Sequence, residues 1–223
     1  MITKHVKIKQ LDVQSLKLNS NSDKIILDSE ITINLEDSTY KLSCIPTNIE
    51  PLIIGFISAK LNHKHKPIIT KENLHYSISF NDESYPTIQN SPLTDISYPD
   101  IIMLNRLFKS GQKTYHDTGA TMSVGTICAS NELILFEDIS ITNALYKLIG
   151  YCLMNQQSIH GKLFISHSIS NSHIPLIDFL NPQLLITQSS VTSTIIDYCH
   201  NHNVTLFGFC RKNSYNLYSN YHI

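Results

Sequence analysis

The spacing of hydrophobic and polar positions changes along this chain of 223 residues. In the first part apolar residues come in short alternating runs. Ile31, Ile33 and Leu35 alternate with Thr32 and Asn34, the period of a strand with one buried face. Asp37-Ser38 supplies a turn and Tyr40 to Ile45 returns, which predicts a β-hairpin. Glu50 to Lys60 is mostly apolar, with Pro51 placed for a first helical turn. It predicts a core helix, and Gly55 inside it predicts close packing. Residues 61–98 are less regular. Ser77 to Phe80 predicts a strand, and residues 81–98, with Pro86 and Pro92 among Ser, Thr and Asn, predict a loop. Pro99 opens a helix that runs to Lys109 and stops at Gly111, with Ile102, Leu104, Leu107 and Phe108 as its buried face.

From Thr121 onward strands and helices alternate. Strands are predicted near 121–128, 132–137, 162–166, 183–187 and 204–210, helices over 142–156, 173–180 and 191–201, and a last strand over 215–218. Such alternation predicts an α/β class with a mainly parallel sheet, led by an antiparallel hairpin. The chain divides at this level into a β-rich region with one core helix and a linker loop, 1–98, and an α/β domain, 99–223.

Composition narrows the classes. Net charge is −1 and the pI about 6.8, so the chain as a whole does not invite nucleic acid or an acidic membrane surface. No apolar run approaches the ~18–20 residues of a membrane span. Five cysteines, Cys44, Cys128, Cys152, Cys199 and Cys210, are far apart and odd in number, which suits reduced thiols in a cytoplasmic protein. The N-terminus shows no hydrophobic signal segment. Basic residues are nearly all Lys; Arg106 and Arg211 are the two exceptions, and Arg is the better fork for phosphate.

Candidate chemistry is sparse. His63-Lys64-His65 and His200-Asn201-His202 are H-x-H pairs without a third ligand at metal-site spacing, so no metal centre is expected. Zinc deaminases need H-x-E or C-x-E with P-C-x-x-C, and neither occurs. Phosphate-binding G-x-x-x-x-G-K-[ST] and G-x-G-x-x-G loops are absent. Glu137-Asp138 ends a predicted strand just before a predicted helix. The pair could serve acid–base chemistry, or its members could face opposite sides of the strand, with Asp138 or Thr142 capping the helix.

Several segments, in order, resemble the FdhD/NarQ family of formate dehydrogenase accessory sulfurtransferases. Thr118-Gly119-Ala120 stands where the family has Thr-Gly-Gly. Glu137-Asp138-Ile139, Asn143-Ala144-Leu145 and Lys147-Leu148-Ile149-Gly150 match its E-D-I-G-R-H-N-A-x-D-K-L-x-G. Leu163 to Ser170 is similar to a strand ending in S-G-R-x-S, and Gln188-Ser189-Ser190-Val191-Thr192 to its S-A-P-T segment. Thr205 to Arg211 and Asn216-Leu217-Tyr218 fit the closing G-F-x-R and N-x-Y pieces. Upstream, Cys44 to Glu50 leading into Leu52 to Phe56 resembles its first helix entry, so the likeness runs from about residue 30 to 219.

The resemblance implies a cytidine-deaminase-like α/β/α layered domain with a small N-terminal β-rich domain, in a homodimer. It implies sulfur transfer from a cysteine desulfurase to molybdenum bis(molybdopterin guanine dinucleotide), for apo-formate dehydrogenase. The expected ligand surface is the set of C-terminal strand ends. Phe209, Cys210, Arg211, Lys212, Asn213 and Ser214 are the expected cofactor-binding segment, with Asn143 and Lys147 as further candidates. The family pattern is broken at several positions. Residues 81–98, where its sulfur-carrying C-x-x-C loop would lie, contain no Cys. Ser140-Ile141-Thr142 replaces G-R-H, Ser168 replaces the Arg of S-G-R, the His after Thr-Gly-Gly is replaced near Met122, and Val191 replaces the Pro of S-A-P-T. Cys210 is then the best, though a weak, thiol candidate, because Arg211 beside it would favour a thiolate. Two readings follow: a sulfurtransferase, or a catalytically silent member that binds a partner. A vestigial pocket that senses a small ligand is a third.

Overall fold

The computed structural model describes residues 2–88, 90, 93, 96–127, 132–210 and 214–223. It opens with a two-stranded antiparallel ribbon, β1 (Thr3–Asp12) and β2 (Lys17–Ile26), in register from Thr3↔Ile26 to Asp12↔Lys17. An ion pair between Lys24 and Asp117 ties its base to the body, while Leu11, Val13, Leu16 and Leu18 stand exposed at its tip.

The expected hairpin forms as β3 (Ser29–Leu35) and β4 (Ser38–Cys44). It joins β5 (His65–Glu72) and β6 (His75–Ser84) in a four-stranded sheet of order β4-β3-β6-β5. The strand expected at 77–80 lies within β6; β5 was not apparent from its pattern, since its side chains are mostly exposed. Between β4 and β5 runs α1 (Ile49–Gly55), continued by a π-helical turn, Phe56–Lys60. Leu52, Ile53 and Ile57 of this helix share a core with Ile31, Ile33, Tyr76 and Ile78 of the small sheet.

The second half is a six-stranded sheet of order β12-β11-β10-β9-β7-β8. Its strands are β7 (Met122–Ile127), β8 (Leu133–Asp138), β9 (Lys162–Ile165), β10 (Leu184–Thr187), β11 (Thr205–Gly208) and β12 (Asn216–Ser219). β9, β10 and β11 are parallel; β7 is antiparallel to both β8 and β9, so β8 shares their direction. Helices α4 (Ile141–Asn155), α5 (Ile174–Leu180) and α6 (Ser193–Asn201) alternate with these strands as their periodicity predicts. Alternate strand residues face opposite layers. Leu163, Ile165, Leu185 and Leu206 join the core with α4, whereas Phe164, Leu184, Ile186 and Phe207 join a separate core with α2 (Tyr98–Gly111). The result is a three-layer α/β/α domain, as the resemblance implies.

Two details differ from expectation. The buried stripe of α2 is Ile101, Leu104, Asn105 and Phe108, spaced i, i+3, i+4, i+7; Ile102 is only half-buried and Leu107 is 37% exposed. A capping box between Ser97 and Asp100 fixes where this helix starts, and Phe108 meets Phe164 of the sheet at 5.5 Å between ring centroids. A further short helix, α3 (Lys113–Thr118), follows α2 and ends at Gly119, whose φ of +67° suits glycine.

Candidate functional site

The parallel strands β9, β10 and β11 end side by side, the position where open α/β sheets hold ligands. Each leads into a turn: Ser166-His167, Gln188-Ser189 and Phe209-Cys210. Hydrogen bonds to backbone carbonyls lock these turns together. The Cys210 N–H donates to the Thr187 carbonyl (3.3 Å), Phe209 N–H to the Ser189 carbonyl (2.9 Å), and Thr187 Oγ1 to the His167 carbonyl (2.8 Å). Phe209 takes a left-handed φ of 51°, which turns the chain sharply out of β11. Lys109 and Gln112 from the end of α2, and Tyr115 from α3, form the facing wall of a cleft of about 390 Å³.

The described residues of the cleft carry donors and little charge. His167 is half-buried, and that burial lowers its pKa, so the ring is neutral near pH 7. Ser166 Oγ accepts from the Ser123 N–H at 2.8 Å and lies 2.8 Å from His167 Nδ1. We assign the Ser166 proton to Nδ1, which leaves Nε2 protonated as a donor. Tyr115 meets the His167 ring edge-on at 6.1 Å. A chain of amides backs the wall. Gln112 Nε2 donates to Gln188 Oε1 (3.1 Å), Gln188 Nε2 to Asn105 Oδ1 (3.4 Å), and Asn105 Nδ2 to Tyr215 Oη (3.1 Å). Lys109 adds the cation.

Of the residues expected at the site, Cys210 lines the cleft, Phe209 precedes it and is bonded through its N–H to the Ser189 carbonyl, and Ser214 is exposed. Arg211, Lys212 and Asn213 lie outside the described residues, as does Cys128. Cys210 does not have the expected reactive thiol. It is 4% exposed, and burial pushes its pKa up to about 12.

Asn143 and Lys147 are elsewhere. Lys147 Nζ sits 2.6 Å from Asp138 Oδ2 with both side chains fully buried, and donates to the carbonyls of Ile45 (3.2 Å) and Glu137 (3.4 Å). Asn143 Nδ2 donates to the Ser43 carbonyl (2.7 Å) and to Asp138 Oδ1 (3.1 Å). These side chains clamp the β4–α1 junction to β8 and α4 instead of reaching the cleft. Glu137 points to the other face of the strand. Its carboxylate accepts the N–H groups of Thr114 and Tyr115 (2.8 Å each) and so holds the start of α3. The cap role considered for Asp138 or Thr142 on α4 does not form: Ser140 occupies the cap position, without a side-chain cap bond.

Gln112, Tyr115, His167 and Gln188 were not singled out from the sequence. His167 and Gln188 lie within segments that resemble the family, and that was the available signal. Asn90 had none. It sits in the segment that replaces the family's cysteine loop, and its amide is fully used. Nδ2 donates to the carbonyls of Leu180 and Asn181 (2.7 Å each), and Oδ1 accepts from Ser158 Oγ (2.9 Å) and Ile159 N–H (3.2 Å). Leu93 N–H donates to Gln183 Oε1 at 2.6 Å. Asn90→Ala is expected to cost about 1–3 kcal/mol in urea unfolding and to speed amide exchange selectively around residues 85–97. Unchanged exchange there would mean that Asn90 does not hold the segment.

The comparisons place this architecture. A crystal structure of a putative formate dehydrogenase accessory protein from Desulfotalea psychrophila superimposes with a TM-score of 0.81, covering 99% of this chain and 98% of that one at 14% identity. The likeness shows a common fold. The sequence model of the FdhD/NarQ family matches residues 58–223, and the chain belongs to this family. The sulfur carrier protein FdhD of Bacillus subtilis is 25% identical over 239 aligned positions, covering 91% of each chain. Its counterpart in Staphylococcus aureus strain JH9 is 21% identical over 238 aligned positions, covering 91% of this chain and 90% of that one. Among the described residues no group of three His, Cys, Asp or Glu side chains is placed to hold a metal, and no helix is long and apolar enough to cross a membrane.

Proposed function

We propose that this chain is a formate dehydrogenase accessory protein that holds a guanine-nucleotide portion of molybdenum bis(molybdopterin guanine dinucleotide) in its strand-end cleft without carrying sulfur on a thiol of its own. The cofactor is client cargo in this reading. A cleft of about 390 Å³ falls in the ordinary range for one nucleotide-sized ligand. His167 Nε2–H, Gln112, Gln188 and Ser189 offer neutral hydrogen bonds, Lys109 one positive charge, and Tyr115 an aromatic edge. The donor set suits a base and a phosphate better than it suits covalent chemistry.

The observation that carries the non-carrier part is the segment 81–98. It lacks cysteine, and its Asn90 side chain is bonded to the α4–β9 turn and to the end of α5. Sulfur relay needs an accessible thiolate on a mobile loop. The described cysteines, Cys44, Cys152, Cys199 and Cys210, are all buried. Burial pushes the thiols of Cys44, Cys199 and Cys210 up to about 11, 12 and 12; the Asp138 carboxylate adds to the effect at Cys44.

Apo-formate dehydrogenase, a cysteine desulfurase and a second copy of this chain are the partners the family suggests.

The test has two separable arms. A desulfurase loaded with labelled cysteine would pass its sulfane sulfur to any competent thiolate here, regain its own thiol and add one sulfur to this chain. Intact-mass analysis is expected to show no adduct; a persulfide on any of the five cysteines, Cys128 included, overturns the non-carrier part. Guanosine diphosphate is expected to bind in calorimetry and to lose at least about tenfold, or ~1.4 kcal/mol, in His167→Ala/Gln188→Ala. Absence of binding to the unaltered protein overturns the cleft assignment.

A further inference from the structure

A second cavity lies at the opposite end of the sheet from the strand-end cleft, between the π-helical turn, the segment after β6 and the C-terminal ends of α4 and α5. Its volume is about 250 Å³, and Ser58, His63, Lys64, Tyr85, Leu153 and Phe179 are among its lining residues. By liquid volume that is room for roughly eight waters, more than one bridging molecule needs.

Two polar atoms in its wall have no partner among the described residues. Ser58 Oγ belongs to a residue that is 7% exposed, and His63 Nδ1 is likewise shielded from solvent; neither makes a hydrogen bond to a described residue. Buried polar groups are nearly always paired, and leaving one unpaired costs ~1–3 kcal/mol. Their orientation is fixed. Ser58 sits in the turn where the Leu61 N–H donates to the Phe56 carbonyl, an i→i+5 bond that widens the helix. Widened turns of this kind occur frequently at ligand sites. The His63 ring is stacked on Phe80, with centroids 3.5 Å apart and planes 13° apart, so its Nδ1 is held in place.

The remaining lining decides the ligand class. Among the described residues no Asp or Glu lines the cavity, whereas Lys64, Asn62 and Thr87 add further donors. Glu50 acts on the Tyr85 hydroxyl, whose pKa is raised by burial first and by this carboxylate second. Ile88, Leu153, Phe179, Pro86 and the Tyr85 ring provide an apolar wall. An acceptor-bearing head on a small apolar body fits this arrangement. We propose that this cavity is a binding site for a small organic monocarboxylate, with the Ser58 hydroxyl and His63 Nδ1–H donating to the carboxylate and Lys64 balancing its charge at the mouth. The site is independent of the nucleotide reading of the strand-end cleft.

Benzoate is a suitable probe, with benzyl alcohol as its neutral counterpart. In the full chain, benzoate is expected to raise the melting temperature and to give saturation-transfer signals that benzyl alcohol does not. Guanosine diphosphate should not displace it. Ser58→Ala is a clean variant because it removes an unpaired hydroxyl, so it should fold at least as stably as the parent while weakening benzoate by about tenfold. His63→Phe keeps the stack on Phe80 and should do the same. A crystal structure from a benzoate soak with only ordered water between Ser58 and His63 overturns the proposal. So does benzoate binding that Ser58→Ala and His63→Phe leave unchanged.

Discussion

Lys147→Met is expected to lower stability by about 3–5 kcal/mol, a large share of the ~5–15 kcal/mol typical of a domain. The reason is the carboxylate it strands. Asp138 and Lys147 are both fully buried, and all three ammonium protons have acceptors: Asp138 Oδ2, the Ile45 carbonyl and the Glu137 carbonyl. Asp138 in turn accepts from the N–H groups of Ile45 (3.3 Å) and Ile139 (2.8 Å) and from Asn143. Removing the cation alone leaves a desolvated charge and frees the β4–α1 junction from α4. Asp138→Asn/Lys147→Met removes both charges and should recover most of the loss, because a neutral pair avoids the desolvation cost of two ions. Urea unfolding of the two single variants and the double variant closes the cycle. A Lys147→Met protein within about 1 kcal/mol of the parent would show that the clamp does not hold the two halves together.

The same residues explain what was legible. Glu137-Asp138, Asn143, Lys147 and Gly150 carry the family resemblance, and every one proves to be a joint. Glu137 holds α3, Asp138 and Lys147 form the buried pair, Asn143 holds the Ser43 carbonyl, and Gly150 receives α1. Their spacing identified the strand–helix unit and the family. It did not reveal that Lys147 is buried, because a lysine nearly two turns into a helix looks the same in sequence whether it meets solvent or a carboxylate. Alternating periods placed β7 to β11 and α4 to α6 because those elements are buried on one or both faces. They were silent on β5 and α3, whose exposed or short stretches owe their form to β6 and to Glu137. The cleft followed the same division. The strand ends were expected as the ligand surface, but Gln112 and Tyr115 reach it from α2 and α3, just upstream of Thr118-Gly119-Ala120 and outside any matched segment. The Cys210 thiol was misjudged for a related reason: the neighbour in sequence suggested a thiolate, whereas the burial that raises its pKa comes from residues distant in the chain.

Gly150→Ala is expected to be as damaging, through sterics alone. Helices α1 and α4 cross with their backbones touching. A Cβ on Gly150 would stand 1.9 Å from the Pro51 carbonyl oxygen, and one on Gly55 would stand 1.9 Å from that of Tyr146. Neither obstacle is a side chain that can swing away, so the helices must separate. Overpacking a core usually costs about 1–3 kcal/mol; here the separation also opens the core that Leu52, Ile53, Leu145 and Ile149 share. Gly150→Ala should therefore exceed that range, and Gly55→Ala/Gly150→Ala should fail to give a cooperative transition. Gly119→Ala is the internal control. No atom of the described residues beyond its chain neighbours lies within 4 Å of its added methyl, and the left-handed φ of +67° alone should cost about 1–2 kcal/mol. A Gly150→Ala protein as stable as Gly119→Ala would overturn the backbone contact. The crossing also has a consequence for the second cavity. α1 runs on into the turn that carries Ser58, and α4 ends with Leu153 in the cavity wall. A variant that spreads the two helices should therefore lose benzoate binding while leaving guanosine diphosphate at the far strand ends less affected.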